Sequence, residues 1–145
     1  MLNKANLMTT LAIIVISVGV VSSAYTQLSY KTTKEITKDV IIVDGRQLNF
    51  NELYEKLEHK TIQAEKKGVI KNYTGVSLDG IIMEAGVQNP EQHQYKITGT
   101  DGYSPASPIS WNNMQIGIIT EDRDCVFPNL PGSFWVRDLA SIEVI

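Results

Sequence analysis

Alternating apolar and polar positions predict the strands of this chain. In "TIQAEKK", residues 61–67, Ile62 and Ala64 fall on one face of an extended chain, and the polar residues between them fall on the other. The β-branched Thr61 and Ile62 also favour a strand over a continued helix. Short apolar runs predict further strands in "DVIIVDG", "YKITG", "MQIGIIT" and "WVRDLASIEVI".

Two stretches have the spacing of short amphipathic helices. Asn49, with Glu52 three residues later, resembles a capping box, which predicts a helix over 49–59. The stretch "SLDGIIMEAGV" predicts a second helix that begins after Ser77 and ends at Gly86. Because helices are few and do not alternate regularly with strands, the sequence predicts a mixed, β-rich α+β fold with two or more short helices.

A tight turn is predicted at Asp101-Gly102. An Asp-Gly pair between strand-like runs is typical of a hairpin, so we predict a return strand that begins at Tyr103. The prolines of "SPASP" then end this hairpin. Tyr103 and Ser104 follow the turn directly, where a loop can line a cleft. The alternative for Tyr103 is that its ring packs the hairpin onto the core.

An apolar run without charges, from Leu7 to Ala24, precedes the predicted domain. As a helix it would be about 27 Å long, close to the thickness of a bilayer core. Residues 1–24 are therefore expected to be a cleaved secretory signal or an uncleaved membrane anchor, with a buried core helix as the third alternative. A polar linker, 25–38, leads to the domain at 39–145. Either leading alternative predicts a protein that is secreted or anchored to the outer face of the cytoplasmic membrane, and an uncleaved segment makes the membrane a partner.

Composition argues against several classes of function. The net charge of −3 gives no electrostatic reason to bind nucleic acid. The single cysteine, Cys125, cannot form an internal disulfide, and the two histidines lie far apart in the sequence. Asp122 and Asp124 precede Cys125 and are expected to raise its pKa, which disfavours a catalytic thiolate. No phosphate loop, zinc-protease or hydrolase motif is present.

The order of motifs from Val40 to Ile145 resembles the sulfite-oxidase-like molybdopterin-binding domain. The segments that carry the resemblance are "TIQA", "YTGVSLDGIIMEAGV", "ITGTDGYSPASP" and "WVRDLASIEVI". The resemblance implies a fold of that family. In the family, a cysteine on the strand that matches "TIQA" ligates molybdenum through its thiolate. The matching residue here is Ala64, whose methyl group cannot ligate a metal.

The resemblance also places a pterin-binding region just after Ala64, where two lysines are able to meet an anion. We therefore expect a non-catalytic binding or interaction module without a bound cofactor, whose partner is a protein or a small anionic ligand. A molybdopterin-dependent oxidoreductase and an accessory subunit of one are the alternatives. The candidate ligand-binding residues are Ala64, Lys66, Lys67, Tyr103 and Ser104.

Overall fold

The structure, a computed structural model, describes residues 39–145. The predicted apolar helix at 7–24 and the linker at 25–38 lie outside the described residues. Nine strands and three short α-helices within 39–145 confirm the β-rich α+β class. Over the same range, no helix combines the length and the apolar character needed to cross a bilayer.

In chain order the elements are β1 (Val40–Val43), β2 (Arg46–Asn49), α1 (Phe50–Lys56), β3 (His59–Lys66), β4 (Val69–Ser77), α2 (Leu78–Glu84), β5 (Gln94–Gly99), β6 (Ile109–Ser110), α3 (Trp111–Ile116), β7 (Ile118–Thr120), β8 (Cys125–Val126) and β9 (Leu139–Val144). Short 3₁₀ turns lie at Pro90–Gln92 and Gly132–Phe134.

Five of the strands form a mixed sheet in the order β2–β1–β9–β5–β6. All its neighbours are antiparallel except β1 and β9, which run parallel. Asp44 and Gly45 join β1 to β2 with φ angles of 48° and 77°, the signature of a two-residue type I′ turn. The predicted first strand and closing strand are both part of this sheet, at β1 and β9.

The other four strands form an antiparallel sheet in the order β3–β4–β7–β8. Lys67 and Gly68, with φ angles of 53° and 79°, make the tight turn between β3 and β4. Only Gly75–Ser77 of β4 pairs with β7. The hairpin therefore continues beyond β7 as a two-stranded ribbon, residues 61–74, about 20 Å long at ~3.3 Å per residue.

Both predicted helices are confirmed, with a correction to the end of the first. The Asn49 side chain accepts a hydrogen bond from the backbone N–H of Glu52 at 3.1 Å and so caps α1. This helix ends at Lys56 rather than at residue 59, because Leu57 is already extended and β3 begins at His59.

Three of the strand predictions are wrong in part. The closing strand begins at Leu139, so residues 135–138 of the predicted stretch lie outside it. Residues 103–108 form no return strand, since Pro105 and Pro108 lack the N–H that a ladder needs; β5 is paired by Ile109–Ser110 instead. In the predicted strand "MQIGIIT", the first three residues belong to α3. The Ser110 hydroxyl caps that helix, and Met114 on its inner face is fully buried.

Close backbone packing between β4 and β7 fixes the inner end of the ribbon. Gly75 pairs with Thr120, and a methyl group added at Gly75 would lie 2.6 Å from the carbonyl carbon of Ile119 and closer still to its oxygen. Only a residue without a side chain allows these strands to pair at this distance.

We predict that Gly75→Ala lowers the free energy of unfolding by about 3 kcal/mol, because the strands must separate to admit the methyl group. The matched control is Gly80→Ala in α2, where the new methyl would lie 3.5 Å from Leu57 Cδ1 in ordinary contact. Since alanine also favours a helix, the control should be neutral or up to ~1 kcal/mol more stable. Urea unfolding of both variants tests this, and equal stabilities would contradict it.

Candidate functional site

A cleft of about 350 Å³ lies where the ribbon meets β7, β8 and the segment before β9. Three regions of the chain supply its walls. The polar and aromatic residues that line it are Lys66 and Tyr73 from the ribbon, Thr120, Asp122 and Asp124 from the end of β7 and the turn after it, and Trp135 and Arg137 from the segment before β9.

Trp135 organises one wall of the cleft. Its indole N–H donates a hydrogen bond to the carbonyl oxygen of Phe127 at 3.2 Å, and its ring is almost entirely buried. The ring of Tyr73 meets it edge to face at 5.4 Å between centroids. The Lys66 ammonium lies 5.0 Å from the indole centroid, in a cation–π contact. The lysine charge thereby lies against the aromatic wall of the cleft.

The face of the ribbon that carries Lys66 and Tyr73 also carries Ala64, and this explains why Ala64 is buried. Ile62, Ala64 and Lys66 alternate along β3 and share one face, and Tyr73 joins them because it pairs with Ile62. The segment before β9 lies over this face, since Trp135 contacts Tyr73 and a methyl group at Gly132 would lie 3.5 Å from Lys66 Cγ. Ala64 is consequently only 3% exposed and lies in the core next to the cleft.

The charges of the cleft are only partly satisfied within the protein. Asp124 accepts a hydrogen bond from the backbone N–H of Asp138 at 3.1 Å. Lys66 and Arg137, in contrast, have no carboxylate within 4.0 Å among residues 39–145. Two cations and an aromatic wall thus border a cleft that also carries two carboxylates.

Cys125 borders the cleft, but its side chain is buried on the opposite face of the sheet from Ala64. The register from β3 through β4 to β7 puts Ala64 on the same face as Thr120, whereas Cys125 pairs with Ile119 on the other face. Burial raises the pKa of the Cys125 thiol strongly, and the charge of Asp124 raises it further. The expected direction is confirmed, with burial as the larger cause.

The structure does not bring the five predicted site residues together in one site. Of the five, Lys66 alone lines the cleft. Lys67 lies at the exposed turn of the ribbon, and the Ser104 hydroxyl donates to the carbonyl oxygen of Ile97 at 2.7 Å. The Tyr103 hydroxyl donates to the carbonyl oxygen of Ser133, next to the residue that covers Lys66. Tyr103 therefore tethers the covering segment from outside the cleft.

Tyr73 and Arg137 are cleft residues that the sequence reasoning missed. The position of Tyr73 could have been predicted from the Lys67-Gly68 pair. A two-residue turn there sets the register of β3 and β4, in which Tyr73 pairs with Ile62. Trp135 belongs both to the hydrophobic core and to the wall of the cleft.

Comparison with known proteins adds no assignment: no protein-family model matches the chain, and a search of curated proteins finds no significant match. Within residues 39–145, no three His, Cys, Asp or Glu side chains are grouped in a way that would hold a metal ion.

We predict that stability falls by about 1 kcal/mol between pH 8.5 and 9.5. The raised pKa keeps Cys125 protonated in the folded protein, whereas the unfolded thiol loses its proton from about pH 8.5 upwards. Deprotonation therefore stabilises the unfolded state and lowers the free energy of unfolding. Urea unfolding at several pH values measures the slope. Cys125→Ala removes the group and should remove this slope; a variant with the same slope would contradict the assignment.

Proposed function

We propose that residues 39–145 form a non-catalytic binding or interaction module of an extracytoplasmic protein, with a small anionic ligand bound in the cleft. The observation that carries the proposal is the Lys66 ammonium, held over Trp135 without a carboxylate partner in the described range. The uncharged run from Leu7 to Ala24 supports an extracytoplasmic location.

The fold that we propose is the sulfite-oxidase-like one. Three of the segments that carry the resemblance form regular elements in the expected order: "TIQA" in β3, "SLDGIIMEAG" around α2 and "LASIEV" in β9. Ala64, at the position of the metal-ligating cysteine, lies next to the cleft, which is where a ligand would be expected.

Molybdenum held through a strand cysteine does not fit the residues of this domain. Ala64 offers a methyl group, and the lone thiol of Cys125 is buried on the other face of the sheet with a raised pKa. Asp122 and Asp124 at the cleft would also repel a dianionic phosphate group. These three features favour a binding module over a molybdopterin oxidoreductase.

The walls of the cleft suit a planar monoanion. Lys66 and Arg137 provide positive charge for one anionic group, and the guanidinium can bind a carboxylate through two hydrogen bonds. The rings of Tyr73 and Trp135 provide apolar area for a flat body. A hydrogen-bond donor on the ligand would find acceptors at the two aspartates.

We predict that protein purified from its native host contains no stoichiometric molybdenum or pterin. Elemental analysis by mass spectrometry, together with fluorescence of oxidised pterin, measures both in the same sample. One molybdenum per chain would overturn the proposal and favour the oxidoreductase.

We predict that benzoate, as a planar monoanionic probe, binds in the cleft with a dissociation constant of about 1 mM, a value typical of a fragment of this size. The shift of the Trp135 indole N–H signal in NMR spectra follows the titration, with Trp111→Phe to assign the two indoles. Lys66→Met keeps most of the apolar stem but removes the charge, and should weaken binding at least tenfold.

Lys96→Met is the matched control, because Lys96 lies on β5 and its ammonium faces Glu143 rather than the cleft. It should leave the benzoate affinity unchanged. An unshifted Trp135 signal, or equal affinities for the two variants, would count against an anion site at Lys66.

A further inference from the structure

The tip of the ribbon, residues 66–71, exposes two large apolar side chains at its end. Val69 is 52% exposed and Ile70 is 60% exposed, directly after the Lys67-Gly68 turn. Most exposed apolar residues need no explanation. These two stand about 20 Å beyond the last pairing of β4 with β7, on the most projecting part of the second sheet.

The two apolar side chains lie on opposite faces of the ribbon. Val69 pairs with Lys66 and shares its face, whereas Ile70 pairs with Glu65 on the other face. A partner that docks on one face would cover one of them and leave the other in water. A medium that receives the tip end-on covers both.

Charge is strongly segregated between this hairpin and the remainder of the described chain. Residues 59–77 carry four lysines and one glutamate, a net charge of +3. The other residues of 39–145 carry five basic and fourteen acidic side chains, a net charge of −9. An anionic surface would therefore attract the hairpin and repel the body, which orients the domain with its tip towards that surface.

We infer that the ribbon tip docks end-on to an anionic lipid surface. Val69 and Ile70 enter the interface between headgroups and acyl chains, while Lys67 and Lys71 contact the headgroup phosphates. None of these four residues lines the cleft, so the inference stands apart from the proposed ligand site.

The test uses the full chain mixed with lipid nanodiscs of phosphatidylcholine alone or with one third phosphatidylglycerol. Hydrogen exchange followed by mass spectrometry reports on the backbone amides of residues 66–72. Exchange there should slow at least fivefold with anionic discs at low salt, and the slowing should fade at high salt. Amides of the remaining described segments should change little.

Two variants separate the contributions of charge and apolar contact. Lys67→Gln with Lys71→Gln should require roughly 25-fold more anionic discs for half-maximal protection, since each lysine near the surface contributes about a fivefold gain in affinity. Val69→Thr with Ile70→Thr keeps the β-branched side chains that suit a strand and should weaken docking at least tenfold. If the backbone amides of residues 61–65 exchange hydrogen at the same rate in each variant as in the natural protein, measured without discs, the hairpin of the variant is intact.

Lys60→Gln with Lys96→Gln is the matched control, because it removes the same charge away from the tip. Lys60 lies about 20 Å from the tip along β3, and Lys96 lies on β5 of the other sheet. It should dock like the natural protein. Equal protection by neutral and anionic discs, or equal weakening in this control, would overturn the inference. So would protection by polyglutamate but not by discs, which indicates an acidic protein partner, or protection that rises with protein concentration alone, which indicates a second copy.

Discussion

The contact of Trp135 with Tyr73 and Lys66 is the interaction on which this architecture depends. A two-stranded ribbon of six residue pairs is marginal by itself in water. The indole, tied to the carbonyl of Phe127, gives the ribbon an apolar surface to pack against and turns its inner face into one wall of a cleft. The same contact fixes the Lys66 charge, so stability of the ribbon and geometry of the site have one cause.

Much of the fold was predictable because local chemistry decided it. Asn49 capped a helix where predicted, and the alternation around Ala64 made a strand with the expected inner face. The wrong predictions arose where a neighbouring residue competed with the pattern: the Ser110 cap drew "MQI" into α3. Pairing across the sheets, such as β1 beside β9, depends on distant contacts that no local pattern contains.

The candidate site was less predictable than the fold. Lys66 was found because it follows Ala64 on a strand, but its partner Trp135 lies 69 positions later in the sequence, and only the tertiary fold brings them together. Tyr103 follows the predicted turn but lies on a loop rather than at the start of a strand, and its hydroxyl holds the covering segment rather than facing the cleft. The register between the strands, which places Cys125 on the opposite face of the sheet from Ala64, also depends on tertiary pairing.

The position of β3 at the end of its sheet has a consequence for self-association. Its outward N–H and C=O groups meet no further strand among residues 39–145, which leaves a template for a strand from another molecule. Lys60, Glu65 and Lys66 place charges along this free edge. If an identical strand added to this edge in parallel register, each lysine would lie next to its own copy. The repulsion between like charges therefore opposes fibril growth, although the edge of β3 has no strand paired to it.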